Sequence, residues 1–171
     1  LKYVDFTVMP SVTTVGQMAF ENATSLKYVK FGATVKSILD SAFFGVTNLV
    51  VEVPYDAPGG LYEDINLVSS TAFDDSALFF ISSTVDVTGT FLEGKNVDSS
   101  YPTIDFAFSE SMADKGETLG MVAINNKVFF TEADFVNTVL NGYQFVGWYA
   151  EESETTRLAF PLVFTDDVTV Y

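Results

Sequence analysis

The chain has 171 residues, of which 48% are apolar and 15% aromatic, enough to bury a core in one domain or two and too apolar for a disordered tail. Its formal charge of −15 repels nucleic acid and anionic lipid, so neither is expected as a partner. It contains no cysteine and no histidine, which removes disulfides, thiol and imidazole catalysis and the usual zinc ligands.

The first predicted element is the hexapeptide LKYVDF at Leu1, a short strand by its Tyr-Val-x-Phe content. It returns as LKYVKF at Leu26, and LVVEVP from Leu49 begins a third copy. The segment after each strand also recurs. Val12, Val15, Ala19 and Phe20 match Val35, Ile38, Ala42 and Phe43, and then Ile65, Val68, Ala72 and Phe73, at identical spacing. The third copy is lengthened by YDAPGGLYED, whose Pro58-Gly59-Gly60 marks a turn.

A period in the twenties marks a solenoid, in which one unit cannot bury its apolar face alone. Each unit reads as a strand, a turn, a second extended segment and a compact Ala-Phe turn. Stacking would align Leu1 with Leu26 and Leu49, and Phe20 with Phe43 and Phe73. Inward positions are then Leu1, Val4 and Phe6, repeated as Leu26, Val29 and Phe31. The intervening Lys2, Tyr3, Lys27, Tyr28 and Lys30 should face solvent, with Tyr3 over Tyr28 and Asp5 over Lys30. This basic and aromatic strip on an acidic molecule is the candidate partner-binding face. The third copy breaks it with Val50 and Val51.

The pattern resembles the leucine-rich repeats of the BspA type over residues 1–80, chiefly in its V-x-x-V/I-x-x-x-A-F core. It departs from them at Gly32, which stands where the first and third copies have proline. The resemblance implies a curved extracellular solenoid used for adhesion or display, here spanning 1–84. Residues 85–102 read as a linker or the solenoid's end, because LEGKNVDSSYP gathers Gly, Asn, Asp, Ser and Pro.

The second module, 103–171, opens with the alternating Ile104, Phe106 and Phe108 of a half-buried strand. MVAINNKVFF suggests a hairpin turning at Asn125-Asn126. TEADFVNTVLNGY reads as a helix, with Thr131 as N-cap, Phe135, Val139 and Leu140 on one face and Gly142 as C-cap. That order is α+β. GYQFVGWY, from Gly142 to Tyr149, and the later FTDDVTVY resemble the Listeria–Bacteroides repeat, also called the internalin B-repeat. The resemblance implies a small β-grasp-like domain used as a spacer in bacterial surface proteins. The expected fold class is therefore mixed and β-rich, a leucine-rich-repeat solenoid followed by a small α+β domain.

Chemistry is scarce along the chain. Trp148, with Tyr143, Phe145 and Tyr149, could stack on sugars, but alternating residues of one strand filling a small core explain it better. The acids at Asp74-Asp75, Glu151-Glu152-Glu154 and Asp166-Asp167 lack the spacing of a calcium loop and read as solvated turns. No G-x-S-x-G or phosphate-binding glycine loop is present. The expectation is a non-catalytic, monomeric module pair with no cofactor and no metal, at the cell surface or outside the cell. It would bind, or hold apart, a host or neighbouring-cell protein or glycan. The alternative is a carbohydrate-binding accessory region of a secreted hydrolase. No apolar run approaches bilayer length, so no membrane insertion is expected of this segment. A chain that opens inside a repeat is expected to be a piece of a longer protein.

Overall fold

A computed structural model describes residues 1–54, 67–81, 86–109, 123–135 and 144–171. The chain forms two compact units, Leu1–Ser100 and Tyr101–Tyr171. It is β-rich, and the only helical turns among the described elements are of the 3-10 kind.

Five strands form the first unit's main sheet: β1 (Tyr3–Asp5), β3 (Tyr28–Lys30), β5 (Val50–Val53), β6 (Leu78–Ile81) and β7 (Asn96–Asp98). They lie in chain order and every neighbouring pair is parallel. A parallel pair needs a crossover, and here the return segments provide it. Two of those segments pair as well, through β2 (Thr14–Val15) and β4 (Ser37–Ile38), again in parallel. Bridges from Ile38 to Val68 and from Phe43 to Phe73 continue that stacking into the third copy.

Strand alternation sends every second residue of each strand inward. Val4, Val29, Val51 and Phe79 lie side by side in register, and all are buried. Two phenylalanine stacks fill the space behind them. Phe6 lies on Phe31 at 5.3 Å with planes 2° apart, and Phe20, Phe43 and Phe73 follow one another at 5.0 Å steps. Phe31 meets both Phe43 and Phe73 edge-on, so the stacks interlock.

The Ala-Phe turn owes its shape to paired left-handed residues. Met18 and Ser41 precede the alanines at φ 56°, and Asn22 and Gly45 follow the phenylalanines at φ 56° and 72°. Backbone bonds from Met18 to Asp40, Phe20 to Ala42 and Asn22 to Phe44 dock one turn on the next. At φ 72° Gly45 takes without strain the left-handed conformation that Asn22 holds in the first copy, and a Cβ there would press on the end of the Asn22 side chain. Gly32 packs against the backbone of Phe6 and Thr7, so it lies beside Thr7 and not at the level of the first copy's Pro10; a Cβ would lie 3.1 Å from each backbone.

Two expectations need correction in this unit. Leu1 is 72% exposed, because no strand lies outside β1 to cover it. The third strand is shifted by one residue. Leu26 and Leu49 are both buried, yet Tyr28 pairs with Val50 and Val29 with Val51, so Val51 and not Glu52 faces the core. A one-residue slip would have turned Glu52 inward. Of the two readings of 85–102, a linker or the solenoid's end, residues 86–100 follow the second and belong to the first unit. Phe91 and Leu92 are buried in the first core, with Val87 and Val97 packed on it, and β7 adds a strand to the sheet. The Tyr55–Asp64 insertion lies outside the described residues.

In the second unit, β8 (Ile104–Phe106) pairs in parallel with β11 (Val168–Val170), and β9 (Phe129–Phe130) pairs antiparallel with β10 (Leu162–Val163). The expected hairpin at Asn125-Asn126 does not form. Ile124 bridges to Ile104 while Phe129 and Phe130 go to β10, so the two arms serve different partners. Where a helix was expected from Thr131, the described part is a 3-10 turn, Glu132–Asp134. The Asp134 carboxylate folds back to accept from the Thr131 amide and hydroxyl. Val139, Leu140 and Gly142 fall outside the described residues. Ile104, Phe130, Phe135, Trp148 and Val170 make the core.

Candidate functional site

The candidate face lies on β1 and β3. Tyr3 pairs with Tyr28 and Asp5 with Lys30, as the repeat spacing requires, and the Lys27 amide donates to the Lys2 carbonyl. Lys2 and Lys27 are exposed, Tyr3 is 45% exposed, and the Lys30 side chain is 43% exposed. Tyr3 and Lys30 are in the two adjacent strands, and Lys2 and Lys27 immediately precede them.

Tyr28 does not join them. It is 2% exposed, and its hydroxyl donates to the Glu52 carboxylate, itself 7% exposed. Lys30 Nζ stands 3.8 Å from the same carboxylate oxygen. The reason is that both faces of the sheet are covered at its centre. Val50 and Phe80, on strands beside and beyond β3, are 6% and 0% exposed. A strand covered on both faces reads as a continuous apolar run, as VVEV and LFFI do. The expected two-tyrosine ladder thus reduces to one exposed ring, Tyr3, and Tyr28 becomes the clamp that satisfies a buried acid.

Glu52 was missed by sequence reasoning. Half of its signal was present, since a lone acid between valines on a β-strand must find a donor; the register that sets Lys30 opposite it differs by one residue from the Leu26–Leu49 alignment and came only with the structure.

The acidic turns are occupied by their own backbones. Asp74 accepts from the Ser76 hydroxyl and amide, and Asp86 from the Thr88 amide. Hydrogen bonds from the Ser76 and Thr88 side chains, then from their amides, hold both carboxyls below the usual aspartate range. Asp167 takes the Thr103 amide, and Glu151 takes Thr155 and Thr156. Among the described residues no three acids converge as metal ligands would.

Trp148 sits in the second core, ringed by Phe106 at 5.2 Å, Phe145 at 5.5 Å and Phe135 at 6.1 Å. Residues 144–148 are not a strand, so the expected alternation fails; Tyr143 lies outside the described residues. The bend comes at Gly147, whose φ of 152° disfavours a side chain and where a Cβ would overlap the Arg157 side chain. With its ring buried, Trp148 offers no stacking platform. Its Nε1–H has no acceptor among the described residues, and Phe145 and Val146 beside it are exposed.

No helix among the described residues is long and apolar enough to cross a membrane. No family model, curated protein or solved structure matches this chain.

Proposed function

We propose that the chain is the non-catalytic part of a bacterial surface or secreted protein, a BspA-type leucine-rich-repeat solenoid followed by a β-grasp-like spacer. Its work is adhesion, ligand binding or spacing outside the cell. The observation that carries this reading is the parallel sheet in chain order, which pairs Tyr3 with Tyr28 and Asp5 with Lys30 and brings Lys2 and Lys27, one residue ahead of β1 and β3, beside each other along the backbone. Three lysines and an exposed phenol lie within two short neighbouring segments of a chain of charge −15, a local concentration of positive charge that favours an acidic protein or an anionic glycan. Asp5 on the same strands limits that attraction and favours a partner with mixed polarity.

The test is an array of glycans and extracellular proteins probed with the chain and with its Tyr3→Ser/Lys27→Ser variant. Both positions are exposed, so circular dichroism should be unchanged. Binding that weakens at least about tenfold in the variant supports the face. Binding that is equal in both removes it, and cleavage of an arrayed glycan overturns the non-catalytic reading.

A further inference from the structure

The Ala-Phe turns stack as closely as the strands do. Backbone bonds join Phe20 to Ala42, Asn22 to Phe44 and Phe43 to Ala72, and a parallel bridge pairs Phe43 with Phe73. The rings of Phe20, Phe43 and Phe73 follow one another at 5.0 Å. The residues one place after those rings, Glu21, Phe44 and Asp74, are therefore neighbours in file, their backbones about 4.8 Å apart as in any parallel pair. The rings before them pack into the core, so alternation turns these three outward.

Phe44 is the misfit of that row. It is 51% exposed, where the copies on either side present a carboxylate. It belongs to the middle copy and has a turn on each side, so the stack itself leaves it uncovered. A single exposed ring is ordinary on a protein surface, but a ring between two acids is the setting of a cation. The three turns, 16–24, 39–47 and 69–77, hold Glu21, Asp40, Asp74 and Asp75 and no lysine or arginine. The Ser76 hydroxyl and amide both donate to Asp74 and favour its ionised form. Among the described residues, the ion pairs Lys30–Glu52 and Lys127–Asp134 leave these acids aside, and no cation stands over Phe44.

We infer that the row of Ala-Phe turns is a docking surface for an arginine side chain of a partner protein, its guanidinium lying on the Phe44 ring between Glu21 and Asp74. Arginine fits better than lysine because a planar guanidinium stacks on a ring while its rim donates to carboxylates on both sides. The charge of −15 draws a basic segment towards the chain, and the ring fixes where it settles. This row lies on the return segments and not on β1 and β3, so the inference does not rest on the face proposed above.

The experiment titrates a glycine–serine peptide carrying arginine into the isotope-labelled whole chain, followed by nuclear magnetic resonance at the Phe44 ring and the Glu21 amide. A saturable shift at both is expected, and none with citrulline in place of arginine. Phe44→Leu, which keeps an exposed apolar side chain, should weaken binding about two- to fivefold, the worth of an exposed cation–π contact. Glu21→Gln should weaken it too, whereas Glu152→Gln, which removes the same charge from the second unit, should not. The absence of a saturable shift overturns the inference, as does equal binding of the citrulline peptide. So does binding unchanged by Phe44→Leu, or weakened as much by Glu152→Gln as by Glu21→Gln.

Discussion

Truncation of Phe43 to alanine probes the repeat stack where it is tightest. The ring is fully buried, with Phe20 and Phe73 each 5.0 Å from it at 7° and 4° and Phe31 edge-on at 6.1 Å. A buried Phe→Ala change costs about 3–5 kcal/mol, the spread reflecting how far the site can collapse. Collapse is restrained here. The layers on either side are pinned by the 2.7 Å backbone bonds Phe20 to Ala42 and Phe43 to Ala72, so the cavity stays open. The loss should fall at the upper end, about 4–5 kcal/mol. Phe20, half-buried and stacked on one side only, should cost about 2 kcal/mol. Urea unfolding followed by far-ultraviolet circular dichroism reads the difference, and fluorescence of Trp148, which belongs to the other unit, serves as control. A Phe43→Ala loss under about 1 kcal/mol, or one no larger than that of Phe20→Ala, would refute the stacked-copy reasoning.

Tyr28→Phe should destabilise the first unit by about 1–3 kcal/mol, because it takes a donor from the buried Glu52 carboxylate, whereas Tyr3→Phe should stay within about 0.5 kcal/mol. Equal effects in chemical denaturation would contradict the burial assignment. Burial alone would raise the Asp134 carboxyl, but the hydrogen bonds from Lys127 and Thr131 and the Lys127 charge outweigh it and hold it below its ordinary 3.8. A folded-state value below the unfolded one gives stability that is complete above 3.8 and is lost as pH falls through the folded value. The second unit, read by Trp148 fluorescence, should therefore weaken on acidification below 3.8, and Asp134→Asn should flatten that dependence while lowering stability near neutrality. An unchanged acid limb in the variant would show that other groups control it.

Much of the first unit was legible because its cause is periodic. The spacing of Val12, Val15, Ala19 and Phe20 across copies dictates which atoms stack, and Phe20, Phe43 and Phe73 lie in file accordingly. Strand register was less legible. One residue more or less between Leu and the strand, as at Leu49, leaves the turn apolar pattern intact while shifting every pair beyond it. Exposure was legible only from one side. Alternation says that Tyr28 points away from the core containing Val29, but not that this second face is covered too. The second unit has no repeat to lean on. Asn125-Asn126 has turn chemistry, yet Ile124 and Phe129 find partners far along the chain, a choice that tertiary packing makes. The same holds for the run after Thr131, whose capping residues produce a 3-10 turn over Glu132–Asp134.

The face and the stack both depend on one geometry, parallel strands in chain order with Tyr28 between Tyr3 and Val50. Cross-strand nuclear Overhauser effects in the isotope-labelled chain measure it directly. Contacts linking Tyr3 to Tyr28, Tyr28 to Val50 and Val50 to Leu78, in a parallel pattern, are the expected result. Antiparallel contacts, or a shift that set Tyr28 opposite Val51, would contradict it.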